Sequence, residues 1–286
     1  MRIVSLLPSA TEILFGIGAG DDVVGITHEC DFPPQAQHLP RLTSSALPAA
    51  GSAAEIDRHV RRSLHAGSSL YHLDADLLEQ LAPDLIVTQE LCKVCAVSYE
   101  IVDRAAKRLS SDPRIISLEP SSLEDVYANI ITLGELIGRQ RAAAALVESL
   151  RQRESAVRSR VGQRPRPRVL LLEWTDPLMS AGHWTPGLIE TAGGVPVLGN
   201  AGANSQTIEA QAVYDADPDV IVVAPCGFDL AKAQQAARRL SSLPRWNELR
   251  AVASGAVACV DGNAYVNRPG PRLLDTVEIF AQIFHG

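Results

Sequence analysis

The chain is 286 residues long, about twice a common domain of roughly 150, so it suits one large domain or two. Hydrophobic residues make up 46% and charged residues 21%, which excludes a disordered chain. The formal net charge of −7 excludes a dedicated nucleic-acid binder, which needs a basic face to displace counterions.

Arg2–Leu7 is a β-branched and Leu run stopped by Pro8, and it predicts a strand. It is too short for the apolar stretch of a secretory signal, and no run in the chain approaches the ~18 apolar residues of a membrane helix. A cytoplasmic protein is therefore expected as the sequence stands, or a periplasmic one if a signal has been removed. Ser9-Ala10-Thr11-Glu12 has capping-box spacing ahead of Ile13, Leu14 and Ile17, so a helix follows, with its first amides at the strand's carboxyl end. Gly16–Gly20 lacks the spacing of a dinucleotide fingerprint and reads as that helix's C-cap and turn. Asp22–Ile26 is a second strand running into Thr27-His28-Glu29-Cys30-Asp31, which Phe32-Pro33-Pro34 closes.

Residues 35–68 are rich in loop formers, with one helix near Ala53–Leu64. Asp74–Leu81 has helical spacing, Pro83–Val87 is a buried strand, and Ala96–Leu109 is a helix. Arg114–Leu118 is a strand, and Ser121-Ser122-Leu123-Glu124 caps another helix. Strands alternating with helices predict a parallel, doubly wound sheet. Residues 139–161 contain neither Gly nor Pro, enough for a helix of about 35 Å. A second series follows: a strand at Arg168–Trp174, helices from Pro186 and near Glu209, a strand at Asp219–Val223 and a last helix from Pro271. The halves echo each other. Leu81–Val87 matches Ala216–Val222, and Arg2–Leu6 matches Arg168–Leu172. The fold class is thus α/β: two Rossmann-like lobes with parallel sheets, an N-terminal lobe over 1–138 and a C-terminal lobe over 164–286, joined by a single backbone helix over 139–163, with a ligand cleft between the lobes.

Four loops that follow strands carry the candidate chemistry: Pro8–Thr11, Thr27–Phe32, Gln89–Cys95 and Trp174–Trp184. They hold His28, Glu29, Cys30, Asp31, Gln89, Glu90, Cys92 and Cys95 on one lobe, and Trp174, Asp176, His183 and Trp184 on the other. Five cysteines, an odd number in so long a chain, do not form a disulfide framework and imply a reduced compartment. Cys92 and Cys95 form a C-x-x-C, a spacing that suits soft-metal ligation or a redox dithiol. It follows a middle strand, which disfavours a thioredoxin-like role. A metal set of Cys30, Cys92 and Cys95 is one reading; small, partly buried loop residues are the other. Cys226 and Cys259 read as core. Aromatic residues are only 5% of the chain, so Trp174, Trp184 and Tyr71 stand out as apolar walls for a flat ligand. No G-x-S-x-G, Walker or H-E-x-x-H motif is present, so no catalytic machinery is evident.

Arg2–Glu12, Val24-Gly25-Ile26 with Asp31–Pro34, Leu81–Val87, Trp174–Gly182 and Asn267–Arg272 together resemble the helical-backbone substrate-binding proteins of ABC importers, in their cobalamin-binding branch. That family also binds ferric siderophores and haem. The resemblance implies a corrinoid held between two lobes with little hinge motion. It implies ligand-lining roles for Ser9, Tyr71, Gln89, Trp174 and Arg268, to which the loop residues Cys30, Asp31, His183 and Trp184 are added. It also implies docking to a membrane permease through one carboxylate per lobe: Asp76 in the first, and in the second either the aligned Gln211 or Glu209 two residues earlier. The reading is a non-catalytic, monomeric corrinoid binder that needs no cofactor. A bound cobalamin or soft metal ion is its expected cargo, an ABC permease its partner, and neither nucleic acid nor a transmembrane segment is involved. The alternative is an intracellular metal- or cofactor-handling protein or enzyme using the cysteines, or a haem or siderophore binder.

Overall fold

The structure, a computed structural model, describes residues 1–46, 51–65, 70–89 and 99–286. Cys92, Cys95 and Glu90 lie outside the described residues. The first half of the chain runs β1 (Ile3–Ser5), α1 (Pro8–Gly16), β2 (Val23–Ile26), β3 (Thr43–Ser45), α2 (Ala53–His65), β4 (Tyr71–Leu73), α3 (Ala75–Leu81), β5 (Leu85–Thr88), α4 (Tyr99–Ala106), β6 (Arg114–Ser117) and α5 (Leu123–Leu136). The rest runs α6 (Gln140–Val161), β7 (Arg168–Thr175), β8 (Leu178–Ser180), α7 (Thr185–Thr191), β9 (Val195–Pro196), β10 (Gln206–Thr207), α8 (Ala210–Ala216), β11 (Val220–Val223), α9 (Leu230–Leu240), α10 (Arg250–Ala253), β12 (Val257–Cys259) and α11 (Leu273–His285).

The chain divides into two compact units: residues 1–51, 58–119 and 127–148 form one, and 52–57, 120–126 and 149–286 the other. The expected backbone helix is α6. Its residues up to Glu148 belong to the first unit and those from Ser149 to the second.

The first unit is built on a sheet of order β2-β1-β5-β6, all parallel. Its core residues Val4, Leu6, Ile86 and Leu78 are at most 1% exposed, which is why the strands read as continuous apolar runs. The small antiparallel pair β3–β4 lies in the loop-rich stretch and has no apolar alternation to announce it. Helix α1 begins at Pro8 with Leu7 as its N-cap and no side-chain cap. Ser9 and Glu12 are consequently buried helical residues and not a capping box, because Pro8 already supplies a first helical residue with no amide to satisfy.

The second unit has a sheet of order β10-β8-β7-β11-β12, with β9 also on β7. Strands β7, β11 and β12 are parallel, while β8 and β10 add an antiparallel edge. Leu170, Leu172, Ile221 and Val223 are fully buried on these strands.

The sequence echo is matched residue by residue. Helices α3 and α8 both end on a left-handed residue, Ala82 (φ 39°) and Asp217 (φ 36°), each followed by a proline. In the first unit the Arg2 N–H donates to Asp84 Oδ2 (2.7 Å), the Asp84 N–H returns to the Arg2 carbonyl (2.8 Å), and Arg2 Nε donates to the Leu81 carbonyl (2.7 Å). In the second, the Arg168 N–H donates to Asp219 Oδ2 (2.9 Å), the Asp219 N–H returns to Arg168 (2.8 Å), and Arg168 Nη2 donates to the Ala216 carbonyl (3.0 Å). Each clasp satisfies the helix's last carbonyls and sets the strand that leads to the candidate loops.

Candidate functional site

In each unit the candidate residues collect at the carboxyl ends of the parallel strands. In the first, Ser9 is 5% exposed and Gln89, one residue past β5, is 8% exposed. The Thr88 hydroxyl beside Gln89 is buried without a hydrogen-bond partner. Asp31 is exposed, and its carbonyl accepts a bond from Gln37 Nε2 (2.6 Å). His28 is held by Thr43, whose Oγ1 lies 2.6 Å from His28 Nδ1, and its ring lies 5.6 Å from that of Tyr71.

Two residues sit deeper than the sequence suggests. Tyr71 starts β4 and is only 5% exposed, packed in the core that includes Leu6, Leu42 and Leu78. Cys30 is wholly buried: its N–H closes a turn on the Thr27 carbonyl, and its sulfur lies 3.1 Å from Thr11 Oγ1. Among the described residues, no group of three or more His, Cys, Asp or Glu is placed to hold a metal ion.

The second unit brings its candidates together more closely. Trp174, near the end of β7, donates from Nε1 to the Asp176 carbonyl (3.1 Å), and its ring lies 5.2 Å from Phe228. Phe228 follows β11 in Ala224-Pro225-Cys226-Gly227-Phe228, where Gly227 (φ +72°) turns the chain. The Cys226 N–H donates to the Glu173 carbonyl (3.1 Å), so the ends of β7 and β11 stay paired through this turn. Cys226 itself is exposed and not part of the core, because the strand has already ended at Val223.

Beyond β12 the chain makes a single π-helical turn over Gly262–Val266, a geometry often found at functional sites. Asp261 caps it through the Ala264 N–H (2.7 Å), and Asn267 Nδ2 donates to the Gly262 carbonyl (3.0 Å). A side chain at Gly262 would meet the Ala224 and Pro225 carbonyls, so this turn requires glycine. Arg268, 6% exposed, donates from Nη2 to Asn263 Oδ1 (2.9 Å), and the Asn263 N–H donates to the Phe228 carbonyl (3.1 Å). Trp184, 8% exposed, donates from its indole to the Val266 carbonyl (2.9 Å) and acts as an anchor for this turn. His183 is half-buried at φ +50°, its ring 5.6 Å from Trp184, and burial lowers its pKa.

The sequence alone does not single out Glu173, Phe228, Cys226 or Asn263 for this face. Glu173 hides in an apolar strand, and Phe228 and Asn263 follow strands in turns whose closeness only the fold reveals. The Glu173 carboxyl accepts hydrogen bonds from the Ser205 hydroxyl, the Thr185 hydroxyl (3.3 Å) and the Gly182 amide. Burial outweighs these donors and pushes its pKa up to about 7. The docking candidates Asp76 and Glu209 are both exposed, Asp76 in the first turn of α3 and Glu209 at the N-cap of α8.

The known proteins similar to this chain are named for binding. The vitamin B12-binding protein of Vibrio cholerae is 24% identical over 97% of this chain and 86% of its own length. The solved periplasmic vitamin B12-binding protein of that organism superposes with a TM-score of 0.71 at 23% identity, covering 99% of this chain and 96% of the other. The cobalamin-binding protein of Halobacterium salinarum is 25% identical over 99% of this chain and 69% of its own. A periplasmic haem-binding protein of Pseudomonas aeruginosa shares the fold, with a TM-score of 0.74, 22% identity and coverage of 99% and 92%. A family model described as periplasmic binding protein matches residues 3–264. With that match over most of its length, the chain belongs to the periplasmic binding protein family.

Proposed function

We propose that this protein binds a corrinoid without catalysis, as the substrate-binding component of an ABC importer. The observation that carries the reading is the near full-length likeness to relatives named for vitamin B12 or cobalamin. The strand ends of the second unit support it. Trp174, half-buried and backed by the buried Phe228 and Ala236, is the aromatic residue suited to a flat macrocycle, and Asn263 and Arg268 offer donors and acceptors suited to its amide side chains. Ser9, Asp31 and Gln89 of the first unit, with His183 and Trp184 of the second, are the further contacts in this reading.

Haem is the second reading, favoured by the haem-binding structural relatives. The carboxylates Asp76 and Glu209 would meet a permease. Action outside the cytoplasm follows from such docking. No helix among the described residues is long and apolar enough to cross a membrane. Titration with cyanocobalamin, haemin and a ferric hydroxamate, followed by visible absorbance and tryptophan quenching, tests the proposal. Saturable binding of cyanocobalamin, weakened by Trp174→Ala and by Arg268→Ala, is expected. Preference for haemin or the ferric chelate would overturn the corrinoid assignment.

A further inference from the structure

We propose that Glu173 is a positioning residue for the ligand-binding face of the second unit: through Ser205, Thr185 and Gly182 it fixes the segment that carries His183 and Trp184 against the strand that carries Trp174. This rests on the binding reading above.

Three observations support it. The first is connectivity. One carboxyl group receives donors from the turn at 182–185 and from residue 205, two stretches that also pair with each other. The His183 N–H donates to the Ala203 carbonyl (2.6 Å) and the Gly202 N–H to the His183 carbonyl (2.9 Å). The second is fit. The chain at 203–205 lies so close to Gly182 that a Cβ there would sit 2.6 Å from the Asn204 carbonyl carbon, so the two stretches that Glu173 joins meet backbone to backbone. The third is the departure from pattern. Glu173 directly follows the buried apolar run Val169–Leu172 of β7. A carboxyl there carries a desolvation cost, and departures of this kind from the apolar pattern concentrate at functional sites.

Ionised, the carboxylate accepts all three donors. Protonated, one oxygen becomes a donor itself, and the hydroxyl contact at that oxygen, Thr185 or Ser205, must reverse or lapse. The set of contacts thus changes as pH passes through about 7. The titratable groups on the elements packed around its strand are His183 on the 182–185 turn, Glu190 on α7, Cys226 after β11, Asp176 beyond Trp174, and Asp229, Lys232, Arg238 and Arg239 on and beside α9; segment 203–205 carries none.

Three variants and two readouts test the proposal. Glu173→Leu, which extends the apolar run of β7, should fold and keep or gain thermal stability at pH 8 while binding cyanocobalamin about tenfold more weakly, a fold-change equal to about 1.4 kcal/mol. Wild-type affinity from a folded Glu173→Leu would overturn the positioning role. The second arm needs no ligand. The near-ultraviolet circular dichroism of the tryptophans should titrate in wild type with a midpoint near 7, move to a higher midpoint in Ser205→Ala, which removes a donor to the ionised form, and be flat in Glu173→Gln. A profile unchanged in both variants would overturn it, whether or not Glu173→Leu folds. Wild-type protein that fails to bind cyanocobalamin would instead refute the corrinoid reading, leaving Glu173 to be judged by the ligand-free arm.

Discussion

Gly182 and Gly187 lie five residues apart, and the same added methyl should have opposite effects at the two. At Gly182 the new Cβ would sit 2.6 Å from the Asn204 carbonyl carbon and closer still to the Ala203 oxygen and Ser205 nitrogen, all of them backbone. No rotamer change relieves such contacts, so residues 203–205 must move by roughly 1 Å, at a cost of about 1–3 kcal/mol for overpacking. The move also strains the bond between the His183 N–H and the Ala203 carbonyl, adding about 1 kcal/mol. Gly182→Ala should therefore destabilise by about 2–4 kcal/mol. Gly187 lies inside α7, and a methyl added there would meet no atom within 4 Å, so Gly187→Ala gains helix propensity of about 1 kcal/mol. Urea unfolding followed by tryptophan fluorescence separates the two, provided the slope m is unchanged. Equal losses for both variants, or a neutral Gly182→Ala, would refute the close approach of segment 203–205.

The Glu173 carboxyl should give stability a distinctive pH slope. Its folded pKa of about 7 lies above the ordinary 4.5, so its contribution is fully present below about pH 4.5 and is lost as pH rises through 7, a change of about 3 kcal/mol. Glu173→Gln should remove that segment from a plot of unfolding free energy against pH, and an unaltered plot would count against the buried carboxyl. Asp219 has the opposite sign: the Arg168 amide, despite partial desolvation, and the Arg250 guanidinium hold its pKa down. Its stabilisation is present above the ordinary carboxylate range and lost on acidification, and Asp219→Asn, at a partly exposed site, should cost about 1 kcal/mol or less at pH 7 in thermal melts. Trp184→Phe leaves the buried Val266 carbonyl without its indole donor and should cost about 1–3 kcal/mol in urea; a loss under about 0.5 kcal/mol would show that this bond does not anchor the π turn.

Most of the scaffold is legible in the sequence because its signals are local. The β-branched runs at Ile3–Ser5 and Val220–Val223, the helix of residues 140–161 with neither Gly nor Pro, and the Asp cap of α3 each announce themselves within a few residues. The rest depends on contacts distant in sequence. Strands β3, β8 and β10 are two or three residues long and gain their identity only from a partner. Asn263 and Phe228 meet across 35 positions of sequence, through a π turn that no periodicity encodes. Cys30 sits among polar neighbours in a loop, yet it is wholly buried, its sulfur against Thr11 nineteen positions away. Trp174 and Trp184 likewise take their settings from distant partners, Trp174 as a half-buried ring against Phe228 and Trp184 as a buried anchor on Val266.

The cap geometry also settles how the two docking candidates correspond. In α3 the N-cap is Asp74, so Asp76 is the second helical residue; in α8 the N-cap is Glu209, so the second helical residue is Gln211. Glu209 is therefore the counterpart of Asp74 and not of Asp76, and permease contacts through carboxylates would use different helix positions in the two units. The distinction matters for experiment. Asp74 accepts a bond from the Leu77 N–H (2.9 Å), so its removal loses a cap of about 1 kcal/mol and confounds docking with stability. Glu209 makes no side-chain cap bond. Glu209→Gln and Asp76→Asn should accordingly leave the urea midpoint unchanged, and a loss of stimulated permease ATPase activity in either would report contact alone. A shifted midpoint in Glu209→Gln would refute the assignment of Glu209 as an uncapping surface carboxylate.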